Sequence, residues 1–226
     1  MSEPPYSAFF YGTLLHPAIL RRVIGHDGQH LQICPALLLE HTRHQVKCAD
    51  YPAVLPWHKN QELLSSAGAS VELPPESRNV RGTLVTGLST ADIALLDIFE
   101  GNEYTRERVS VHPLGPFTDL SASVPDSDIA PAAPAPPSLD TLAPPLPAHT
   151  YIWGAPLDQL SPEVWDYADF VRKNAWKWVG DAARNNADYL EVDRRRAMNG
   201  DTLRQEIIDV GGDATNVKAV VEVVET

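Results

Sequence analysis

Apolar and polar positions along this chain follow two periods, and the switches between them mark its elements. Ser7 to Tyr11 (S-A-F-F-Y) is a short apolar, aromatic run after prolines, which predicts a buried strand. Gly12-Thr13-Leu14 breaks it. His16-Pro17 then opens a helix with proline at the first helical position; Ile19, Leu20 and Val23 form its apolar side and Gly25 ends it. Residues 31–48 read as one or two strands, ending at the turn-forming Asp50-Tyr51-Pro52-Ala53, with Val54-Leu55-Pro56 as another extended piece. Gln61 to Pro75 is polar and rich in small residues, which predicts a loop. Val80 to Leu88 alternates in strand fashion, with Gly82 marking a bulge or a close approach of backbone.

The stretch from Ser89 to Arg108 carries the strongest local signal. Ser89 is an N-cap with Asp92 three residues on, and Gly101 is placed to stop the helix in the left-handed conformation. At 100° per residue from Ile93, Leu96 falls at about −60°, Asp97 at about +40° and Glu100 at about −20°. Glu100 therefore shares the apolar stripe of Ile93 and Leu96, while Leu95 and Phe99 flank other core faces. A carboxylate there is desolvated and lies at the negative end of the helix dipole, and both effects push its pKa up towards general acid/base chemistry. The competing reading is a last-turn glutamate whose head reaches water. Tyr104 to His112 follows as a strand, with Tyr104, Arg106, Arg108, Ser110 and His112 on one face. Arg106 and Arg108 are placed either to pair with Glu100 or Glu103 or to form ordinary cross-strand ion pairs.

Thr118 to Ala148 has eight prolines, seven alanines and no Lys, Arg or Trp, the composition of a flexible, partly polyproline loop or linker. Thr150 to Gly154 resumes as a strand, which makes the Pro/Ala segment an insertion between two strands of one sheet. Ser161-Pro162 is placed to cap a long helix, whose stripe from Val164 runs through Tyr167, Ala168, Val171, Ala175, Trp178 and Val179 to a stop at Gly180. Trp165 and Trp176 lie beyond that stripe, facing a partner or a tail folded back. Residues 181–226 read as one or two weaker helices and a Val-rich last strand from Val217 to Val224. The expected organisation is one domain over 1–180 and a C-terminal extension over 181–226.

Composition narrows the chemistry. The chain has 226 residues, 43% of them hydrophobic, enough for one substantial core. A formal charge of −12 opposes a nucleic-acid surface. The N-terminus has no basic, apolar leader pattern and no segment is apolar enough to span a bilayer, so a cytoplasmic protein without membrane contact is expected. Two cysteines fit a reducing compartment. Cys34, His41, His44 and Cys48 are potential zinc ligands, but spacings of six, two and three residues do not match structural zinc sites, and no metal is expected. Strand, glycine turn and helix start over residues 7–17 offer backbone N–H groups to an anion or oxyanion, or else form a turn that binds nothing. No G-x-S-x-G elbow is present.

Tyr11-Gly12-Thr13-Leu14, Tyr51-Pro52-Ala53, Arg81-Gly82-Thr83-Leu84 and the run from Leu96 to Arg106 (L-D-I-F-E-G-N-E-Y-T-R), taken as an ordered set, resemble the gamma-glutamylcyclotransferase-like superfamily, in its avirulence-induced-gene-type branch of plants and fungi. The resemblance covers about residues 7–113 and the strand near Tyr151. It implies an α+β fold, a small twisted β-barrel or sheet with flanking helices. It also implies a cavity between the Tyr-Gly-Thr-Leu loop and the glutamate after the capped helix. That glutamate, the acid/base residue of active relatives, falls on Glu100. Tyr11, Gly12, Thr13 and Leu14 would hold substrate polar groups largely through backbone, and Tyr104 takes the position of a cavity tyrosine. Thr13 stands where many relatives carry Ser. The implied activity is a cofactor-independent cyclotransferase acting on a small γ-glutamyl substrate and releasing 5-oxoproline. The alternatives are a silent binding or regulatory protein of the same fold, or a pathway-specific enzyme of secondary metabolism. Tyr51 is read either as substrate-facing or as turn packing.

Overall fold

A computed structural model describes residues 5–49, 51–66, 68, 73–75, 78–120 and 138–165, together with the backbone of strands 203–206 and 220–223. The first strand, β1 (Tyr6–Phe10), runs into a 3-10 turn at Thr13–Leu15 and helix α1 (Pro17–Ile24). The His16 side chain accepts from the Ala18 N–H, Pro17 occupies the first helical turn, and Gly25 closes the helix at φ 79°. Two strands follow, β2 (Gln32–Leu39) and β3 (His41–Val46), then β4 (Pro52–Pro56). Helix α2 (Trp57–Ser66) comes next, so residues 61–66, expected in a loop, are helical. Asn60, Leu63 and Leu64, at i, i+3 and i+4, form its buried side, too narrow a stripe to stand out among polar neighbours.

Strand β5 (Asn79–Leu88) leads to helix α3 (Thr90–Glu100) and strand β6 (Tyr104–Pro113). The ends of the Pro/Ala-rich stretch belong to the fold: β7 (Thr118–Asp119) pairs with Gln32 and Ile33, Leu120 is fully buried, and Leu146–Ala148 begin β8 (Leu146–Trp153). Residues 121–137 lie outside the described residues. The expectation of a helix capped by Ser161-Pro162 is overturned, because Leu160–Val164 is a strand, β9, antiparallel to β3. It is an edge strand, where a proline costs no ladder hydrogen bond. The expected stripe from Tyr167 to Val179, Trp176, the Gly180 stop and the division at residue 180 lie outside the described residues. Near the C-terminus, β10 (Leu203–Glu206) and β11 (Val220–Val223) pair antiparallel, so a strand does form within the Val-rich end and another precedes it.

Strand pairing in the order β5-β1-β8-β6-β2, with β2 returning to β5, closes a five-stranded barrel. Only β1 and β8 run parallel; the other pairs are antiparallel. Gly82 makes the closure sterically feasible. A Cβ there would lie 2.1 Å from the Phe10 carbonyl oxygen and 2.6 Å from the Phe9 ring, so the expected close approach is real. Alternate residues such as Phe9, Cys34, Leu38, Leu84, Val111 and Ile152 form the interior core. The opposite set, including Phe10, Val85 and Tyr151, packs under Leu20 and Val23 of α1 and Ile93 and Leu96 of α3. A second sheet, β4-β3-β9, shares a third core with Trp153 and Leu63.

Candidate functional site

Helix α3 delivers the acidic end of the site. Ser89 and Asp92 form a capping box, the Ser89 Oγ accepting from the Asp92 N–H and the Asp92 carboxylate accepting from the Ser89 N–H. Ile93 and Leu96 seat the helix on the barrel, and Glu100, its last residue, is half-buried. The stop is not left-handed as expected. Gly101 adopts φ 71°, ψ −169°, a region open essentially to glycine alone, while its N–H still reaches the Asp97 carbonyl at 3.1 Å. The chain therefore turns sharply after Glu100 and enters β6 at Tyr104.

Four other segments meet it there. The Tyr11 hydroxyl donates to the Tyr151 carbonyl at 2.5 Å, and its own carbonyl accepts from Arg43 Nη1 at 2.7 Å. Gly12 lies against Pro52, whose ring a Cβ would approach to 3.0 Å. The 3-10 turn closes from Leu15 N–H to the Gly12 carbonyl and from His16 N–H to that of Thr13, so it leaves the N–H groups of Gly12, Thr13 and Leu14 unused by the turn itself. Leu14 is buried in the apolar layer beneath the helices, so only its backbone can face a ligand. Tyr104 donates to the Pro52 carbonyl at 3.0 Å and meets Trp153 edge-on at 5.2 Å. Tyr51 donates to Glu103 Oε2 at 3.0 Å.

The electrostatics are set by phenols around an acid. Burial, then the Glu100 charge, raise the Tyr11 pKa well above its ordinary value. Burial again leads for Tyr104, followed by Tyr11 and Glu100, and for Tyr151, followed by Glu100 and Asp97. Glu100 is thus near three hydroxyls that stay protonated, each already donating elsewhere: Tyr11 to the Tyr151 carbonyl, Tyr104 to that of Pro52 and Tyr151 to Asp97. Asp97, one turn earlier, lives differently. Its Oδ1 accepts from Tyr151 Oη at 2.9 Å and from Arg106 Nε at 2.8 Å. Arg106 therefore pairs with Asp97, neither with Glu100 nor with Glu103 as sequence had suggested. Tyr151, Asp97 and Arg43 were not picked out as site residues, and Tyr51 was read either as substrate-facing or as turn packing. The helical angle that places Asp97 within about 60° of Glu100 was the available signal for one of them; the others depend on pairings between distant segments.

The Cys34, His41, His44, Cys48 set does not converge. Cys34 is inside the barrel with its thiol pKa pushed up to about 11 by burial, and Cys48 is exposed. The His44 ring spans Thr42 Oγ1 and the Ser161 carbonyl. Among the described residues, His26, His30 and Asp92 bring ligand-type atoms within 4.8 Å of one another. Here hydrogen bonding speaks for a cap. His26 Nδ1 accepts the Gly28 N–H at 3.0 Å, which leaves its proton on Nε2, facing Asp92 Oδ1 at 2.9 Å. A cation on Nε2 would have to displace that proton while Nδ1 is still occupied. Trp165, expected to face a partner or a tail folded back, is buried with the Arg43 guanidinium 4.5 Å above its ring.

Residues 8–124 match the model of a family described as gamma-glutamyl cyclotransferase, AIG2-like. Protein AIG2 C of Arabidopsis thaliana is 27% identical over 111 residues, which are 49% of this chain and 54% of that protein. The chain thus spans about half the length of this curated relative. The solution structure of At3g28950.1 from Arabidopsis thaliana aligns with a TM-score of 0.48 at 21% identity, covering 96% of this chain and 99% of that one. A crystal structure of a yeast gamma-glutamyl cyclotransferase specific to glutathione aligns with a TM-score of 0.42 at 12% identity, covering 87% and 97%.

Proposed function

This chain belongs to the gamma-glutamyl cyclotransferase, AIG2-like family, and from that premise we propose that it is a cofactor-independent cyclotransferase acting on small γ-glutamyl compounds. The substrate's α-ammonium gives a proton to Glu100, and the freed amine attacks its own γ-carbonyl carbon. A C–N bond forms, closing the five-membered ring, and the carbonyl oxygen becomes an oxyanion. Glu100 returns the proton to the departing nitrogen and the bond to it breaks; the ring nitrogen then gives up its second proton to the released amine, so that 5-oxoproline and an ammonium leave. Because the attack is intramolecular, holding the chain folded replaces much of the entropic barrier. In this reading the Gly12–Leu14 N–H groups hold the α-carboxylate or the oxyanion, and Tyr11 and Tyr104 line the site as neutral phenols. The chemistry needs no metal or redox group, and the substrate is met in the cytoplasm.

One observation carries the reading: a half-buried Glu100 whose charge bears on three buried or half-buried phenols from three separate segments. A structural last-turn glutamate has no use for that convergence. The test is Glu100→Gln, an isosteric change at a helix end, assayed for 5-oxoproline release from a panel of γ-glutamyl amines, amino acids and peptides. The variant should fold as the wild type does and release at least about a hundredfold less product, the lower range of general acid/base catalysis. Undiminished release removes Glu100 from the mechanism. Stabilisation by γ-glutamyl ligands without turnover in the wild type marks a binding protein instead.

A further inference from the structure

Alternation along β3 gives Arg43 a different face from its neighbours. Thr42, His44 and Val46 are buried on one side of the strand, and Arg43 leaves from the other, towards the end of the barrel. There its Nη1 donates to the Tyr11 carbonyl at 2.7 Å and, more weakly, to the Arg81 carbonyl at 3.4 Å, bridging the exit of β1 and the start of β5. Trp165 covers the guanidinium, which lies 4.5 Å from the centre of its ring. The Trp165 N–H donates to the Arg43 carbonyl at 2.8 Å, so ring and main chain of one residue hold the same arginine. Both β9 and Trp165 lie beyond residues 8–124, the part of the chain that matches the family.

The Tyr11–Gly12 peptide bond is trans, so the Tyr11 carbonyl and the Gly12 N–H share a plane and point opposite ways. Holding the carbonyl therefore sets the direction of the N–H, which the 3-10 turn leaves unused. A charged donor on the carbonyl also polarises the amide and strengthens its N–H as a donor. Glycine at position 12 makes the hold necessary, because no Cβ of that residue resists rotation of the peptide. Gly12 lies against Pro52, whose carbonyl accepts from Tyr104, a phenol that feels the Glu100 charge. The peptide held by Arg43 thus belongs to the cluster around Glu100.

We infer that Arg43 is a positioning residue that aims and polarises the Gly12 N–H, and that Trp165, from outside the family match, holds Arg43 to that task. The inference rests on the cyclotransferase reading, in which that N–H meets the α-carboxylate or the oxyanion. Arg43 touches no substrate; it acts through the Tyr11 carbonyl, and Trp165 acts through Arg43. A chain segment remote in sequence from the glycine turn thereby sets how well the turn receives negative charge.

The test uses the full chain and the γ-glutamyl compound of the panel that the wild type turns over fastest, with rates referred to folded protein by urea denaturation. Arg43→Met, which keeps the stem and removes the donor, should lower kcat/KM by about tenfold to a hundredfold. Arg43→Lys should restore part of it. Trp165→Leu should cost about threefold to thirtyfold, the worth of a desolvated cation–π contact, and Trp165→Phe should restore most of that. In the Arg43→Met background Trp165→Leu should cost no further activity, because its route to the site is gone. NMR of the labelled chain without substrate supplies a second readout: Arg43→Met should move the Tyr11 carbonyl carbon and the Gly12 amide nitrogen upfield. Losses that multiply in the double variant overturn the route from Trp165 through Arg43. Unmoved Tyr11 and Gly12 signals overturn the hold on the peptide, and moved signals with unchanged kcat/KM overturn its part in the reaction. Each of these leaves the cyclotransferase intact. A wild type that turns over no γ-glutamyl compound removes that reading and the positioning role with it.

Discussion

The replacement of Gly101 by alanine tests how the helix end aims Glu100. At φ 71°, ψ −169°, Gly101 occupies backbone space that an L side chain enters only under strain. Alanine must either hold that conformation, at about 1–3 kcal/mol, or swing the chain out and carry Glu100 and Tyr104 apart. For a chain of this size each kcal/mol moves Tm by about 2–4 °C, so the shift should be roughly 2–12 °C downward. Gly115 supplies the control: its φ is not in the positive range, and a Cβ there would meet nothing nearer than Pro35 at 3.9 Å. Gly115→Ala should stay within about 0.5 kcal/mol of the wild type. Urea denaturation gives both values, and 5-oxoproline release reports the geometry. On the proposed reading, Gly101→Ala should lose activity beyond its loss of folded protein. Equal stability of the two alanine variants would refute the conformational argument, and a Gly101→Ala enzyme of full specific activity would refute the aiming argument.

Two further outcomes follow from the fold. Burial of Asp92 opposes its charge, but hydrogen bonds from the Ser89 N–H and hydroxyl and from His26 outweigh it and lower its pKa. The sign is that of an acid stronger in the folded state: its stabilisation is complete above the unfolded carboxyl pKa of about 3.9 and is lost as pH falls through the lower folded value. Asp92→Asn should flatten the acid limb of stability measured by urea midpoint between pH 6 and 3, and an unchanged limb would contradict the capping box as its source. Gly82→Ala should cost at least the upper part of the usual overpacking range, about 3 kcal/mol, because the obstacle is the Phe10 carbonyl and not a movable side chain. A soluble, native-like variant losing under about 1 kcal/mol would mean that β1 and β5 can separate without harm.

Local signals were legible and long-range pairings were not. The α3 cap, the helix opening at Pro17 and the strand from Val80 to Leu88 are each specified by neighbours in sequence, so they could be read in place. The barrel closure between β2 and β5 and the parallel pairing of β1 with β8 join distant segments, and alternation on each strand says nothing about its partner. Ser161-Pro162 misled because the same dipeptide suits a helix start and an edge strand, and only β3 decided between them. Among the candidate site residues, Glu100 and Tyr11 were picked out by motif and helical angle. Tyr151 was hidden because its role comes from register with Arg106, which lies across a proline-rich stretch in sequence.

The pair Asp97 and Glu100 shows why a single helix turn can serve two purposes. Both are carboxylates on one face of α3, and what separates them is what each one meets. Asp97 takes Arg106 and the Tyr151 hydroxyl, which fixes β6 and β8 under the helix. Glu100 bears on three phenols whose own ionisation its charge opposes. On the proposed reading, phenols that stay neutral suit a group that accepts a proton and gives it back, because their charge does not change as it titrates. Asp97 thus ties the helix to the sheet, and on the proposed reading Glu100 is the carboxylate that serves the chemistry.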